Sequence, residues 1–259
     1  MPGGTPPRVF ITGASSGLGA ALARAYAARG ATLGLAARRG GLLASLAGEL
    51  GVPCHCYALD VADAAALESA ARDFASAAGC PDIVIANAGI SVGTLAAEPA
   101  DLPVLERIMA VNVNGMANTF APFLPAMGAL GRGRLVGIAS VAGIRGIPGA
   151  GAYSASKAAA IAYLESLRVE LRPAGIRVVT IAPGYVDTPM TRRNPYRMPF
   201  LLPADEAARR MLKVIDRGDG YAVVPWQMAA VGKLLRLLPN PVFDRLFARA
   251  GRKPRGTGL

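Results

Sequence analysis

The amino-acid sequence predicts an α/β fold, a parallel, doubly wound β-sheet with helices on both faces. Three observations lead to this prediction: apolar runs of strand length recur along the chain, Ala-rich helical stretches lie between them, and a glycine-rich turn follows the first run. The chain has 259 residues and is 53% hydrophobic, so it can bury a sizeable core. We expect one domain over residues 1–226, followed by a basic amphipathic extension, residues 227–259, packed on or near it.

The apolar runs are the predicted strands. They are bounded by turn residues and have the composition of strands that are covered on both faces. In chain order they are Arg8–Thr12, Thr32–Ala37, a third strand through Cys54–Cys56 that leads to Asp60, Ile83–Ala86, Arg134–Ala139, Arg177–Ala182 and a last strand within Gly220–Trp226.

The first strand runs directly into a glycine-rich turn with the spacing G-x-x-x-G-x-G, and the stretch Ala20–Arg29 that follows has helical periodicity. Glycines let a backbone approach a pyrophosphate closely, and a helix N-terminus supplies N–H donors and a positive dipole. The turn therefore predicts a dinucleotide site. Its members are Gly13, Ser15, Ser16, Gly17, Leu18 and Gly19.

A phenol and an ammonium group stand four residues apart in Tyr153-Ser-Ala-Ser-Lys157, and a helix would place them on one face. An unperturbed tyrosine has a pKa near ~10, and a nearby cation lowers it by stabilising the phenolate. Tuned in this way, Tyr153 would act as a general acid–base catalyst on an alcohol or a ketone. Alone, the same spacing also describes a half-buried ring beside a solvated charge.

Taken together, these motifs resemble the short-chain dehydrogenase/reductase family in its single-domain branch, from about Arg8 to Thr188. The resemblance implies a Rossmann-like fold and a nicotinamide cofactor. The positions that match the family are the cofactor turn Thr12–Gly19, the turn Asn87-Ala88-Gly89 after the fourth strand, the catalytic residues Asn112, Ser140, Tyr153 and Lys157, and the segment beside nicotinamide with Pro183, Gly184, Val186 and Thr188.

The resemblance also implies a mechanism. Hydride would pass between nicotinamide and a carbonyl carbon while Tyr153 supplies or removes the proton on oxygen. Ser140 would hold the substrate oxygen in line. Lys157 would lower the tyrosine pKa and bind the nicotinamide ribose. Asn112 would position a water that relays protons to Lys157; without the family it is an ordinary asparagine near a helix end.

The end of the second strand indicates which cofactor is used. In NAD-binding units an acid at this place takes the ribose 2′-OH, whereas an arginine accommodates a 2′-phosphate. The chain has Arg38 and Arg39 there and no carboxylate. We therefore favour NADP(H), with NAD(H) as the alternative, and a surface role in capping the strand stays open for both arginines. Asp60 and Val61 follow the third strand, where the family holds the adenine edge.

Positive charge is concentrated near the C-terminus. Residues 190–259 hold 14 basic and 5 acidic side chains, a net +9 of the total +11. The segments Gln227–Leu238 and Val242–Ala250 are predicted helices with apolar stripes and basic opposite faces, and the end Gly251–Leu259 is expected to fray. They would pack on the domain or in a homodimer or homotetramer; an anionic membrane surface and an acidic protein partner are alternatives. No nucleic-acid-binding module accompanies the charge, so nucleic acid is not expected.

The segment between Thr188 and Pro203 corresponds to the family's lid over the substrate. Apolar residues in it favour a hydrophobic ketone or secondary alcohol as substrate. They are Met190, Tyr196, Met198, Phe200 and Leu201. The alternatives to such a carbonyl reductase or alcohol dehydrogenase are a 3-oxoacyl thioester reductase that docks an acidic carrier protein, and a membrane-peripheral or nucleotide-sensing relative with little turnover.

The remaining signals are weak. Cys54-His55-Cys56 has the composition of a metal-binding tract, but a strand would point the cysteines and the histidine to opposite sides, so no metal is expected. Trp226 is expected to anchor the last strand. The N-terminus shows no basic segment followed by an apolar run, which predicts a cytoplasmic protein, with a peripheral membrane location as the alternative.

Overall fold

The computed structural model describes residues 6–256 of the chain. Its strands are β1 (Arg8–Thr12), β2 (Thr32–Ala37), β3 (Cys54–Ala58), β4 (Ile83–Ala86), β5 (Gly133–Ile138), β6 (Ile176–Pro183), β7 (Val186–Asp187), β8 (Leu202–Pro203) and β9 (Tyr221–Val224). Seven of them form one sheet in the order β3-β2-β1-β4-β5-β6-β9, and every pairing in it is parallel. The predicted parallel, doubly wound sheet is confirmed. Strands β7 and β8 pair separately.

Helices connect the strands and cover both faces of the sheet. They are α1 (Gly17–Ala27), α2 (Gly40–Leu50), α3 (Ala64–Ala78), α4 (Leu102–Met109), α5 (Gly115–Phe120), α6 (Leu124–Ala129), α7 (Gly151–Glu170), α8 (Ala204–Arg217), α9 (Gln227–Leu237) and α10 (Asn240–Phe247). A π-helical stretch, Ala110–Asn114, joins α4 to α5. Helix α1 begins within the glycine turn, earlier than the predicted Ala20.

The sheet separates two hydrophobic cores. In β1, Val9 and Ile11 face a core shared with α1, α2 and α8, whereas Phe10 faces a second core shared with α3, α5 and α7. All three side chains are fully buried. Because successive residues of a strand point to opposite faces, a strand covered on both sides must be apolar throughout. This is why the strands are readable as uninterrupted apolar runs.

Two predictions about the C-terminal part of the chain are wrong. Trp226 does not anchor the last strand, since β9 ends at Val224 and the Trp226 side chain is 71% exposed at the start of α9. Residues 251–256 are not frayed: Gly93 and Arg255 form a parallel bridge, and the Gly93 N–H donates to the Pro254 carbonyl at 3.0 Å. Residues 1–5, on which the prediction about export partly rests, and residues 257–259 of the predicted frayed end lie outside the described residues.

Arg145 joins helices α9 and α10 to the segment that follows β5. Its guanidinium donates to the Leu235 carbonyl, to the Leu238 carbonyl at 2.6 Å and to Asn240 Oδ1 at 3.0 Å. It also lies over the Phe243 ring, 3.9 Å from the ring centroid. The half-buried guanidinium of Arg145 thereby provides hydrogen-bond donors to carbonyls at the C-terminal end of α9, where backbone acceptors lack partners within the helix.

The part of the chain that the structure describes contains neither a candidate membrane-spanning helix nor a candidate metal-binding cluster. Within residues 6–256, none of the helices has both the length and the hydrophobicity that crossing a bilayer requires. The same residues hold no group of three or more His, Cys, Asp or Glu side chains placed to bind a metal ion. His55 instead packs edge-on against Phe74, with ring centroids 5.7 Å apart.

Gly34 in β2 is required by the aromatic rings that pack against it. A Cβ atom there would lie 2.4 Å from Phe10 Cδ2 and 2.9 Å from Phe74 Cδ2. We expect Gly34→Ala to lower the free energy of unfolding by about 1–3 kcal/mol, because rings in a close-packed core must move. Urea denaturation measures this change. The control is Gly48→Ala in α2, where nothing lies within 4 Å of the added carbon; it should stabilise the protein by about 0.4–1 kcal/mol. Equal stability of Gly34→Ala and the unsubstituted protein would contradict the packing.

Candidate active site

The carboxyl ends of the central strands open into one cleft of about 530 Å³. It lies where the strand order reverses between β1 and β4, the usual ligand position in sheets of this kind. The structure places the sequence-predicted site residues in its lining, with Asn112 as the exception. The lining includes Gly13, Ser15, Ser16, Gly17, Leu18, Gly19, Arg38, Arg39, Asp60, Val61, Asn87, Ala88, Gly89, Ser140, Tyr153, Lys157, Pro183, Gly184, Val186 and Thr188.

The glycine turn has the geometry of an anion-binding loop. Gly17 has a φ of +54°, which a residue with a side chain rarely adopts. A Cβ atom on Gly19 would lie 2.2 Å from the Gly13 carbonyl oxygen, so the turn closes on itself only with glycine there. Ser16 precedes α1 in an extended conformation and its side chain does not cap the helix. The first N–H groups of α1 are therefore left to bind an anionic group such as a diphosphate.

The turn after β4 supports the glycine turn from behind. Asn87 Nδ2 donates to the Thr12 carbonyl at 3.0 Å and to the Gly13 carbonyl at 3.2 Å. A Cβ atom on Gly13 would lie only 2.7 Å from the Ala88 Cα atom. These contacts hold the two turns in a fixed relation, so Asn87 and Ala88 order the predicted diphosphate site.

Two exposed arginines stand at the end of β2, at the rim of the cleft. Arg39 Nη2 donates to Ser15 Oγ at 3.0 Å and to Ser16 Oγ at 2.6 Å, while Arg38 lines the cleft beside it. The guanidinium groups are thus next to the glycine turn, where a ribose phosphate and the diphosphate of one dinucleotide would both be within reach. The residues present fit an anionic group at this position.

Asp60 lies after β3 on the far side of this rim. Burial alone would raise the pKa of its carboxyl group, but hydrogen bonds from the Ala62 N–H at 2.9 Å and from Arg107 bring that pKa below its usual value. Asp60 is therefore ionised at neutral pH and paired with Arg107. It orders the loop after β3.

Ser140 and Tyr153 meet at the inner end of the cleft. Ser140 follows β5, and its Oγ accepts a hydrogen bond from the Ala142 N–H at 3.1 Å. Tyr153 lies in the first turn of α7 and lines the cleft together with Ser140. Burial raises the pKa of the Tyr153 phenol above its ordinary value, and the neighbouring Ser140 hydroxyl offsets only part of that rise. The phenol is protonated at neutral pH.

Lys157 lies one helical turn after Tyr153, as its spacing predicted. Its Nζ is 5.9 Å from the Tyr153 ring centroid and donates to the Ile138 carbonyl at 2.8 Å. Burial lowers the pKa of Lys157 to about 8. The expected lowering of the Tyr153 pKa by Lys157 is wrong for this structure, because removal from water acts on both groups and favours the neutral form of each.

Asn112 lies in the π-helical stretch and is fully buried. Its Oδ1 accepts from the Ile90 N–H at 2.8 Å, while its Nδ2 donates to the Ile90 carbonyl at 3.0 Å and to Ser156 Oγ at 2.9 Å. A Cβ atom on Gly89 would lie 3.3 Å from Asn112 Oδ1 and 3.6 Å from Lys157 Nζ. Asn112 therefore clamps the loop after β4 just behind Lys157, and its predicted role in a water relay stays a prediction.

The segment after β6 closes one side of the cleft. The Gly184 N–H donates to the Val224 carbonyl at 2.8 Å, and a Cβ atom on Gly17 would lie 3.2 Å from Thr188 Cβ. Thr188 thus reaches the glycine turn. Of the five residues predicted to form an apolar lid, Met190 lines the cleft and the other four do not; Met190, Phe200 and Leu201 are all exposed to solvent.

Two residues outside the sequence-based predictions lie close to Tyr153 or in the cleft lining, Ser91 and Lys253. Ser91 lines the cleft close after the Asn87–Gly89 turn, and its place beyond the end of a parallel strand is a signal that points to it. Lys253 places its Nζ 2.6 Å from Ser91 Oγ and 5.5 Å from the centroid of the Tyr153 ring. Nothing in the sequence around Lys253 indicates this position.

Lys157 should make stability depend on pH. Its pKa is lowered from 10.5 to about 8 on folding, so between these values the unfolded chain binds a proton that the folded protein has released. The contribution of Lys157 to the free energy of unfolding therefore rises with pH from about pH 8. It levels off above the pKa that the lysine has in the unfolded chain. We expect the free energy of unfolding of the unsubstituted protein, minus that of Lys157→Met, to increase between pH 7 and pH 10.

Urea denaturation at several pH values measures this difference. Lys233→Met is the control, because the Lys233 side chain is exposed on the surface of α9. A difference for Lys157→Met that is flat or falls over this range would show that the Lys157 ammonium is not desolvated.

Comparison with known proteins supplies the family. The family model described as short chain dehydrogenase matches residues 7–197, which are most of the chain and include every residue that lines the cleft. The chain belongs to the short-chain dehydrogenase family. An uncharacterized oxidoreductase of Myxococcus xanthus is 43% identical over 238 residues, which cover 91% of this chain and 94% of that protein.

Solved structures agree with this membership. An alcohol dehydrogenase from the archaeon Thermococcus sibiricus, complexed with 5-hydroxy-NADP, is 30% identical with a TM-score of 0.76 and covers 84% of this chain and 95% of its own. A 3-oxoacyl-[acyl-carrier protein] reductase from Brucella melitensis, with bound NAD, is 31% identical with a TM-score of 0.74 and covers 84% of this chain and 89% of its own. This short-chain dehydrogenase is an oxidoreductase of alcohol or ketone groups in a nicotinamide-binding family. The predicted family and enzyme class are confirmed.

Proposed function

We propose that this short-chain dehydrogenase is an NADP(H)-dependent carbonyl reductase that interconverts a ketone and a secondary alcohol, with Tyr153 as the acid–base catalyst. The observation that carries the proposal is the arrangement of one cleft. Its outer end holds the arginine pair Arg38-Arg39, and its inner end holds Tyr153 and Ser140 together. The cleft therefore combines a phosphate-recognising rim with a proton donor.

Each residue has a role that follows from its contacts. The bound cofactor would supply or accept the hydride. Ser140 would donate to or accept from the substrate oxygen and hold it beside the Tyr153 hydroxyl. Tyr153 would give its proton to that oxygen, and Lys157 would bind the ribose nearest to it. Because the Tyr153 phenol is protonated at neutral pH, its state suits reduction of a carbonyl better than oxidation of an alcohol.

Arg38 and Arg39 support NADP(H) over NAD(H). No carboxylate stands at the end of β2 to take a ribose 2′-OH, and the two guanidinium groups lie beside the glycine turn. The similar alcohol dehydrogenase was solved with an NADP derivative and the similar 3-oxoacyl reductase with NAD, so relatives of comparable similarity use either cofactor. The choice rests on the arginine pair.

A coenzyme-oxidation screen tests the proposal. The purified enzyme is incubated with NADPH or NADH and a panel of ketones, quinones, steroids and acyl thioesters, and the absorbance of the reduced coenzyme is followed. We expect turnover of at least one neutral ketone, faster with NADPH than with NADH. Turnover only with NADH would overturn the cofactor choice, and no turnover with either coenzyme would overturn the proposed activity.

Reduction of a 3-oxoacyl thioester is the second candidate. The similarity to the Brucella melitensis reductase favours it, and so does the surface of α9 and α10, where Leu234, Leu237 and Leu246 are exposed beside basic residues. An acidic carrier protein would fit such a surface. If this candidate is right, an acyl group on carrier protein is reduced far faster than the same group on a small thiol. Binding of the protein to anionic liposomes, but not to neutral ones, would instead favour a peripheral membrane location.

We also propose that the enzyme is a cytoplasmic homodimer or homotetramer assembled through helices α4 and α7. Leu102 and Leu105 in α4 and Val169 in α7 are exposed, although each is apolar. The two helices pack against each other and flank the cleft, the region through which the family associates. Light scattering of the purified protein decides the assembly: a monomer at micromolar concentration would overturn it.

A further inference from the structure

Residues Gly251–Arg255, which we name the C-terminal strap, return to the body of the protein beside the loop after β4. A Cβ atom on Gly93 would lie 2.2 Å from the Lys253 carbonyl oxygen, and one on Gly149 would lie 2.9 Å from Arg252 Cβ. One on Gly251 would lie 3.2 Å from Tyr196 Cβ. The strap is thus in close contact with three segments around the cleft: the loop after β4, the loop before α7 and the segment after β7.

Arg255 anchors the strap to the start of α4. Its Nε donates to Asp101 Oδ2 at 2.9 Å, its Nη2 donates to Asp101 Oδ1 at 3.2 Å, and Nη2 also pairs with Glu98 Oε2 at 3.2 Å. Asp101 Oδ2 accepts the Leu95 N–H at 2.8 Å as well. The same carboxylate therefore orders the loop after β4 and holds the strap beside it.

Lys253 is the strap residue that turns inward. Its neighbours in the strap are exposed, whereas its own side chain is partly buried and reaches Ser91 Oγ at 2.6 Å. Burial lowers the pKa of its ammonium group to about 8. Among residues 6–256 no carboxylate lies within ion-pair distance of the Lys253 ammonium group. The two carboxylates near the strap, Asp101 and Glu98, pair with Arg255. A cation removed from water without a partner is costly, and an anionic ligand relieves that cost.

The position of the Lys253 ammonium restricts which anion could reach it. Its Nζ is 5.5 Å from the centroid of the Tyr153 ring, close to the place where the reacting carbonyl would lie. The diphosphate of the cofactor would bind at the glycine turn, at the other end of the cleft. The anion beside Lys253 is therefore a group on the substrate itself, separated from the carbonyl carbon by only a few bonds.

We propose that Lys253, together with the Ser91 hydroxyl, binds a carboxylate of the substrate, and that the enzyme acts on short oxo acids and the corresponding hydroxy acids. The inference rests on the proposed carbonyl reductase function. One ammonium proton is donated to Ser91, and two remain for a carboxylate. Ser91 lines the cleft, and its hydroxyl holds the Lys253 ammonium group next to the cleft. In this proposal the strap supplies the substrate specificity, and the family's lid segment does not, since its residues Phe200 and Leu201 are exposed to solvent.

Matched pairs of acids and esters test the proposal in the full-length enzyme. The probes are acetoacetate and 4-oxopentanoate, each compared with its methyl ester, and the readout is the ratio of kcat/KM for acid to kcat/KM for ester. We expect the unsubstituted enzyme to prefer at least one acid. Lys253→Met should lower the acid-to-ester ratio about 30-fold, the range for losing a charge-assisted hydrogen bond. Lys233→Met on the surface of α9 should leave the ratio unchanged.

Calorimetric titration with 4-oxopentanoate gives a second readout that does not need turnover. Binding should weaken about 30-fold in Lys253→Met and stay the same in Lys233→Met. If no ketone is reduced but 4-oxopentanoate binds through Lys253, the proposed function fails and the carboxylate site stands. If neutral ketones are reduced and neither the ratio nor the binding changes in Lys253→Met, the carboxylate site is wrong and the reductase stands.

Discussion

Tyr153→Phe is expected to lower kcat/KM for carbonyl reduction about 1,000-fold, the middle of the range for losing a general acid. In the proposed function the phenol is the proton donor, and it lines the inner end of the cleft with Ser140. Phenylalanine keeps the ring and its contacts with the ammonium groups of Lys157 and Lys253, which lie 5.9 and 5.5 Å from its centroid. The affinity for NADPH should therefore change by less than about threefold, since only the reacting proton is removed.

The measurement is a pair of assays, steady-state reduction of the best ketone and fluorescence titration with NADPH. Tyr163→Phe is the matched control, because Tyr163 lies on the same helix, is partly buried against the core and does not reach the cleft. The control should keep its activity within about threefold, as expected for a residue outside the reacting groups. If Tyr153→Phe keeps more than a tenth of the activity, another group donates the proton.

Replacing Arg38 and Arg39 together by alanine should weaken NADPH about 100-fold and change the affinity for NADH by less than about threefold. Both guanidinium groups are exposed at the rim of the cleft, and Arg39 reaches Ser15 Oγ at 3.0 Å and Ser16 Oγ at 2.6 Å. The loss should be selective because the 2′-phosphate is the only group that distinguishes the two coenzymes.

Fluorescence titration with each coenzyme gives the two dissociation constants. Arg72→Ala is the control: Arg72 is exposed on α3, pairs with Glu68 and does not line the cleft. The single variants divide the effect between the two arginines. An unchanged ratio of NADPH to NADH affinity in the double variant would show that the 2′-phosphate is bound elsewhere, and equal weakening of both coenzymes would show that the arginines hold only the diphosphate.

The proposed carboxylate site would connect the strap to substrate choice. The arginine pair and Tyr153 both come from the first 189 residues, whose net charge is nearly zero. Lys253 comes from the basic C-terminal part, far from Tyr153 in sequence, and its Nζ lies 5.5 Å from the centroid of the Tyr153 ring. At least one of the C-terminal basic residues is therefore placed beside Tyr153.

Local patterns explain why so much of the site could be predicted. Gly17 has a positive φ, and a Cβ atom on Gly19 would lie 2.2 Å from the Gly13 carbonyl oxygen, so both positions favour glycine and the sequence shows this directly. Tyr153 and Lys157 share one helix, and Arg38 and Arg39 stand directly at a strand end. Their relative positions depend on residues within a few places of each other, which is the range over which periodicity and spacing are informative.

Predictions failed where position or protonation depends on distant residues. Trp226 is exposed, residues 251–256 are held against the loop after β4 instead of frayed, and the pKa of Tyr153 is raised instead of lowered. Burial sets a pKa through all the atoms that exclude water from a group, and these come from several strands and helices. Spacing along α7 correctly places Lys157 beside Tyr153, but it contains no information about how much water surrounds them.

The sequence alone determined the fold class, the family and the glycine turn, since each is written in local patterns whose backbone geometry or periodicity is specific. Only the tertiary structure decided that Asn112 clamps Ile90, that Tyr153 stays protonated, and that the strap returns to bridge Gly93 and place Lys253 beside Ser91. Contacts between residues so far apart in sequence form only when the packed sheet brings its loops together, and no local pattern records them.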